Sequence, residues 1–400
     1  MTIPEGQPTP PKKTDAGSRP SLGVWSPYMG HVGTIRAVLN ICRGLRETGH
    51  RVDLIRVREE WEGAEDFLKT HGIKLVDFGG RVVFPWLPRH GKGFRLSMGL
   101  LSVFSVPLLW WYLQRRKPDV LLVCLLGFLP MMVLRFSPHK PKVILSVQGI
   151  PTFNKFRCFL WKHFQSRCDA VVALTENTRT LLLAEGIRAE RLHRIDNPVL
   201  DEGVRESALQ PAGHPWLDEK DRPVLIGIGR LTRQKDFPTL IRTFALLRAQ
   251  RPCRLVILGE GEGRPVLEAL ARELGVADDV LLPGFASNPY KWLARADVFV
   301  LTSLWEDPGH VLLEAAYLDV PIVSTDCPSG PRDVLDGGAL GTLCPMGDGP
   351  ALAAAVADVL DHPNPERVRR AREKSLNYTI PACVGHYAGL MDALQSAHNR

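Results

Sequence analysis

The sequence predicts an α/β protein made of two doubly wound, Rossmann-like domains that face a central cleft. Three observations carry this. The chain has 400 residues, too many for one ordinary core. Apolar runs of strand length recur in both halves, separated by amphipathic stretches of helix length. The runs do not alternate polar with apolar residues, which marks strands buried on both faces of a parallel sheet.

In the first half the runs are "LGVW" (22–25), "RVDLIRV" (51–57), "DVLLVCLL" (119–126), "KVILSV" (142–147) and "DAVVAL" (169–174). In the second they are "PVLIGIG" (223–229), "RLVILG" (254–259), "DVLLPG" (279–284), "DVFVL" (297–301) and "PIVST" (321–325). Ligands are expected at the C-terminal ends of both sets of strands. Residues 1–20 are Pro-rich without an apolar stretch and read as a disordered arm, not a secretory signal. The first domain then covers 21–200. Residues 201–222, polar and broken by Pro and Gly, read as a linker. The second domain covers 223–375, and 376–400 is helical by period, expected to pack back on the first domain.

The composition is that of a globular protein, 45% hydrophobic and 23% charged. Eight cysteines form no C-x-x-C pair and no Cys/His cluster at zinc spacing, so reduced thiols of a cytosolic protein and no metal site are expected. The net charge of +7 is uneven: residues 1–200 carry 29 Lys/Arg against 16 Asp/Glu, residues 201–400 carry 21 against 27. A basic half suits an anionic partner such as a membrane surface, lipid phosphate or nucleic acid; a basic surface with no such partner is the plainer alternative. No motif pairs the basic residues with stacking aromatics, so nucleic acid is not expected. Residues 96–113, "LSMGLLSVFSVPLLWWYL", are uncharged and precede "QRRK". They read as a packed helix. Trp110 and Trp111 beside Arg115, Arg116 and Lys117 leave open a helix in the headgroup layer of a membrane. Three serines, Gly99 and Pro107 weigh against a full span.

The chemistry sits in the second half. "PVLIGIG" runs into "RLTRQKDF", so Gly229, Arg230 and Lys235 follow a strand end, with Asp236 placed to cap the next helix. Two cations there make a seat for a diphosphate, or else a solvated basic turn. "GEGEG" (259–263) misplaces the third glycine of a dinucleotide fingerprint and reads as a tight turn. In "LWEDPGHVLLEAA" (304–316), Glu306 falls on a loop and Glu314 inside a helix starting near Gly309. The amides of Gly309, His310 and Val311 are then free for an anion or sugar hydroxyls. Glu306 is placed for a sugar, Glu314 for a ribose.

Four segments, "GIGRLTRQKD", "LVILGEGEGRPVLEALARELGVADDVLLPGF", "ADVFVLTSLWEDPGHVLLEAA" and "VPIVSTDCPSGPRDVLDGG", resemble the donor domain of the retaining glycosyltransferases of family 4, which have the GT-B fold. The resemblance places the family's E-x7-E pair on Glu306 and Glu314, its diphosphate-binding cations on Arg230 and Lys235, and its base-binding loop near Gly284 and Phe285. The first domain is similar over "VGTIRAVLNICRGLRETGHRV" and "RIDNPV". There Gly33 takes the second place of a glycine pair and Val32 the first, with Gly30 and His31 reshaping the loop. Gln148 replaces a histidine of the family, and Asp307 stands where glycine is usual.

The resemblance implies transfer of a hexose or N-acetylhexosamine, with retention, from a nucleotide diphosphate sugar. A UDP-sugar is expected first and a GDP-sugar second, with no further cofactor. The implied acceptor is a glycan or a polyprenyl-diphosphate-linked glycan in polysaccharide, lipopolysaccharide or glycoconjugate synthesis. Glu306, Arg230 and Lys235 would carry catalysis without a metal. The expected setting is cytoplasmic, with peripheral contact on the inner face of the plasma membrane. An epimerase on the same fold and a non-catalytic scaffold are the competing readings.

Overall fold

The computed structural model describes residues 19–27, 33–87, 94–124, 127–150, 159, 163 and 168–396. Gly30, His31, Val32 and nearly all of the N-terminal arm lie outside these. The described residues form two parallel sheets. The first holds seven strands in the order β3-β2-β1-β4-β5-β6-β7, the second six in the order β10-β9-β8-β11-β12-β13. The strands are β1 Leu22–Trp25, β2 Val52–Arg56, β3 Lys74–Asp77, β4 Val120–Cys124, β5 Lys142–Val147, β6 Ala170–Ala173 and β7 Leu192–Arg194, then β8 Val224–Ile228, β9 Arg254–Leu258, β10 Val280–Gly284, β11 Val298–Leu301, β12 Ile322–Thr325 and β13 Thr342–Cys344. Strand order reverses between β1 and β4 and again between β8 and β11. Such switch points open a crevice at the C-terminal ends of the strands.

Each inner strand is buried along almost its whole length because helices cover both faces of its sheet. Two apolar clusters flank each sheet. On the first, Val24, Leu54 and Leu122 pack to one side and Ile55, Leu121 and Val123 to the other. On the second, Ile226 and Phe299 oppose Leu225 and Val300.

The chain crosses between the two units twice, side by side. The amides of Val199 and Leu200 donate to the Tyr378 carbonyl, and the Ile380 amide donates to that of Leu200. The helix Ile380–Ser396 then returns to the first unit, where Val384 and Tyr387 join the core beside the helix Gly33–Glu47. Residues 201–222, expected as a linker, contain the helices Glu202–Ala208 and Pro215–Asp218. They bury Val204, Ala212 and Leu217 in the second unit's core, so the crossing itself is made just before them.

The uncharged run falls in the helix Phe94–Arg116. One face is buried through Leu101, Leu109, Tyr112 and Leu113; the other presents Leu100, Val103, Trp110 and Trp111, with Val103 72% exposed. No helix among the described residues is long and apolar enough to cross a membrane. Arg116, grouped in sequence with Arg115 and Lys117 as a headgroup-facing cation, turns inward instead: Nε and Nη2 donate to the buried Asp53 carboxylate at 2.8 and 2.9 Å. The seven cysteines in the described segments are free and buried.

Candidate active site

The site forms where β8 and β11 end. Past Ile228, Gly229 carries no side chain, and the stem of Lys235 fills that space: a Cβ on Gly229 would lie 2.9 Å from its Cε. A 3-10 turn, Arg233–Lys235, lifts Lys235 over the strand end, and the Thr302 hydroxyl donates to its carbonyl at 2.9 Å. Lys235 Nζ then donates to Glu306 Oε1 at 2.5 Å. The Ser303 hydroxyl donates to the same oxygen at 2.6 Å. Glu306 is 5% exposed, and its neighbouring cation compensates a charge that burial alone would penalise. Arg230, by contrast, is exposed, and among the described residues its guanidinium takes part in no hydrogen bond or ion pair. One expected cation is therefore held and the other is free. Asp236 stands at the N-cap of the helix Phe237–Arg248, but its carboxylate accepts from the Thr239 hydroxyl at 2.7 Å, not from a helix amide.

The helix His310–Tyr317 follows Gly309 and places Glu314 in its second turn. The first amides of a helix have no partner within it, and among the described residues those of Gly309, His310 and Val311 donate to no carbonyl elsewhere in the chain. Glu314 is 6% exposed and already engaged. Its Oε1 accepts from Arg36 Nη1 at 2.7 Å and from the Tyr290 hydroxyl at 3.1 Å. Arg36 belongs to the first unit, 278 residues away along the chain. This carboxylate is thus shared by the two units.

Other contacts join the two crevice walls. A Cβ on Gly33 would lie 2.6 Å from His310 Nδ1, so the absent side chain lets two helix N-termini meet. His310 Nε2 faces Asn197 Nδ2 at 3.4 Å, and Asn197 exchanges hydrogen bonds with the Gln148 amide at 2.9 and 3.2 Å. The Gln148 amide nitrogen also donates to Ser146 Oγ at 2.7 Å. Burial, and then the charges of Arg36 and Lys235, hold the His310 imidazole down to about 4, so the ring is neutral at pH 7. Asp307 accepts from the Thr178 hydroxyl at 3.0 Å and the Ser329 hydroxyl at 3.2 Å. Burial pushes its carboxyl up, and the hydroxyls of Thr178, Thr175 and Ser329 pull the other way. Gly284 ends the edge strand β10, and Phe285 beyond it is 75% exposed, an open aromatic face.

The structure gathers the sequence-derived residues into three groups: Lys235 with Glu306, Glu314 in the second turn of its helix, and Gly33, Gln148 and His310 near Asn197. Arg36, Tyr290, Asn197, Ser303 and Thr178 had no assigned role in the sequence reading. Arg36 carried a faint signal, standing three residues after Gly33 at a helix start.

Two family models match the chain: "Glycosyl transferases group 1" over residues 214–377, and "Glycosyltransferase Family 4" over residues 33–202. An uncharacterised glycosyltransferase of Methanocaldococcus jannaschii is 28% identical over 69% of this chain and 74% of its own. The alpha-D-kanosaminyltransferase of Streptomyces kanamyceticus is 30% identical over 57% of this chain and 61% of its own. Among solved structures, a glycosyltransferase from Rickettsia africae superposes with a TM-score of 0.76 at 12% identity, covering 94% of this chain and 99% of its own. HepE of Anabaena, solved with UDP, gives 0.73 at 16%, covering 93% and 100%. The sheets and the crevice define a GT-B protein, two Rossmann-like domains face to face. With both halves matched by family models, the chain belongs to glycosyltransferase family 4.

Proposed function

We propose that this protein transfers a hexose or N-acetylhexosamine from a UDP-sugar, or in second place a GDP-sugar, to a glycan or lipid-linked glycan, with retention at the anomeric carbon. The observation that carries the reading is the charge arrangement at the ends of β8 and β11. A held cation, Lys235, lies against the carboxylate of Glu306, and a free, exposed cation, Arg230, follows the end of β8 five residues before Lys235 in the chain. A diphosphate fits between two such cations, while carboxylates suit the hydroxyls at its sugar and ribose ends. A charge-assisted bond to each carboxylate contributes about 1.5–3 kcal/mol. Support also comes from relatives: HepE is seen with UDP and with UDP-glucose, and a Salmonella typhimurium relative is a lipopolysaccharide 1,6-galactosyltransferase.

In the reaction the bond from C1 to the leaving diphosphate breaks while the acceptor oxygen bonds C1 on the same face. The acceptor's proton passes to a phosphate oxygen. Lys235 and Arg230 stabilise the charge that grows on the diphosphate, and Glu306 orients the sugar and holds Lys235 in place. The amides of Gly309, His310 and Val311 add donors, Gly229 leaves room for Lys235, and Gly284 with Phe285 offers a platform for the base. Gly33 and Gln148 shape the facing wall, where the acceptor enters. The outward stripe of the helix Phe94–Arg116 and the exposed Arg115 and Lys117 provide peripheral contact with an anionic membrane that carries the lipid-linked acceptor.

A thermal-shift panel of UDP-, GDP- and ADP-sugars tests the donor. At 100 times its dissociation constant the true donor raises stability by about 2.7 kcal/mol, and the UDP-sugars are expected to give the largest shift. Shifts from none of them would overturn the reading.

A further inference from the structure

The carboxylate assigned to the ribose is not built by one domain. Arg36, on the first turns of the helix Gly33–Glu47, reaches across the crevice. Its Nη1 donates to Glu314 Oε1 at 2.7 Å and to the Tyr290 hydroxyl. Its Nη2 donates to the Val199 carbonyl, in the segment where the chain crosses between units, at 2.5 Å. Its guanidinium carbon lies 5.4 Å from the centre of the Tyr290 ring. Tyr290 in turn donates to Glu314 Oε1. Both donors converge on one oxygen, and among the described residues Oε2 accepts no hydrogen bond.

We propose that Arg36 is a positioning residue for the donor nucleoside: a guanidinium of the first unit fixes Glu314 of the second, so that the free oxygen faces the ribose. The proposal rests on the reading of Glu314 as the ribose-binding acid. Three features favour it. The Val199 carbonyl and the Tyr290 ring hold Arg36 independently of Glu314, so the guanidinium has no reason to leave when ribose arrives. A buried carboxylate needs a compensating charge to remain an acceptor, and arginine supplies one at every accessible pH. Two donors on one oxygen fix the plane of the carboxylate, which lowers the ordering cost of accepting from a ribose hydroxyl. The ribose seat is therefore complete only while the two units touch, and nucleotide binding is coupled to their approach. A tie that merely holds the units together would affect folding or closure without regard to the nucleoside. A guanidinium that competes with ribose would weaken nucleotide binding, and its removal would tighten it.

The experiment measures binding of UDP and of inorganic pyrophosphate by calorimetry, and steady-state kinetics, for the wild type, R36Q, R36K, Y290F, E314Q and the R36Q/E314Q double variant. R36Q is expected to weaken UDP about tenfold, leave pyrophosphate unchanged and raise the donor KM with kcat held within about twofold, since one partner of a buried charge is lost. R36K restores part of the loss, and Y290F shows a smaller loss than R36Q. The double variant binds UDP no worse than E314Q, because Arg36 acts through Glu314. Unchanged or tighter UDP binding in R36Q, or additive losses in the double variant, would overturn the inference. If E314Q weakens UDP and R36Q does not, only the role of Arg36 falls. If E314Q has no effect, the ribose assignment falls with it.

Discussion

The two walls of the crevice differ in kind. The second unit presents charges: Lys235 matched by Glu306, Glu314 matched by Arg36 from across the gap, and Arg230 exposed and unmatched among the described residues. The first unit presents mainly neutral amides and hydroxyls, Ser146, Gln148, Asn197, Thr175 and Thr178, bonded among themselves or to the second unit. Its excess of positive charge is spread along the chain away from these residues, with Arg81, Arg115 and Lys117 exposed. A nucleoside diphosphate is the constant, charged part of any donor, and a wall of fixed charges suits it. A neutral hydrogen-bonding wall suits an acceptor sugar, whose recognition depends on the placement of hydroxyls.

Breaking the charged wall should have the largest effect. Lys235→Ala removes a cation from the proposed diphosphate seat and takes from the buried Glu306 its paired cation. It should lower kcat/KM by the equivalent of about 2.7–4 kcal/mol, measured with the donor found in the panel. A near-wild-type value would remove Lys235 from the mechanism. Next comes the line where the walls meet. Gly33→Ala puts a methyl 2.6 Å from His310 Nδ1, and overpacking of this kind costs about 1–3 kcal/mol. Thermal unfolding together with small-angle scattering should show a less stable chain with its units further apart; an unchanged melting point and radius would mean that the two helix N-termini do not set the closure.

Smaller effects sharpen the contrast between the neutral wall and the outer surface of the same unit. Replacing Trp110 and Trp111 together by serine should reduce co-flotation with anionic liposomes at low salt and leave donor binding intact. Equal flotation would separate the apolar stripe from any membrane role. The smallest effect concerns pH. The ordinary histidine value is 6.5, and the native His310 ring sits at about 4. Between these values the unfolded chain binds a proton that the folded chain does not, so the stability contributed by the neutral ring is complete above 6.5 and is lost as pH falls toward 4. In His310→Asn, melting temperature should fall less steeply over that window than in the wild type.

The fold was legible where strands are buried on both faces. The five runs read in each half all became strands, from Leu22–Trp25 to Ile322–Thr325. The strands that escaped notice, Lys74–Asp77, Leu192–Arg194 and Thr342–Cys344, lie at sheet edges and are partly exposed, so their sequences lack a continuous apolar run. The helix Phe94–Arg116 was legible as a helix, but a run apolar on every side gives no sign of which half meets solvent. In the site, Arg230, Lys235, Glu306 and Glu314 stand in short motifs whose local geometry can be read along one chain segment. Arg36 and Tyr290, 254 residues apart, meet only because two domains close on one another, and no local pattern encodes that. The tie between Thr178 and Asp307 was hidden for the same reason, although Asp307 stands where glycine is usual in the family the chain resembles.

The most direct measurement is a structure of this protein with an intact UDP-sugar bound. The account predicts diphosphate oxygens within about 3 Å of Lys235 Nζ and the Arg230 guanidinium, and a ribose hydroxyl at the same distance from Glu314. A diphosphate seated out of reach of both cations would contradict it.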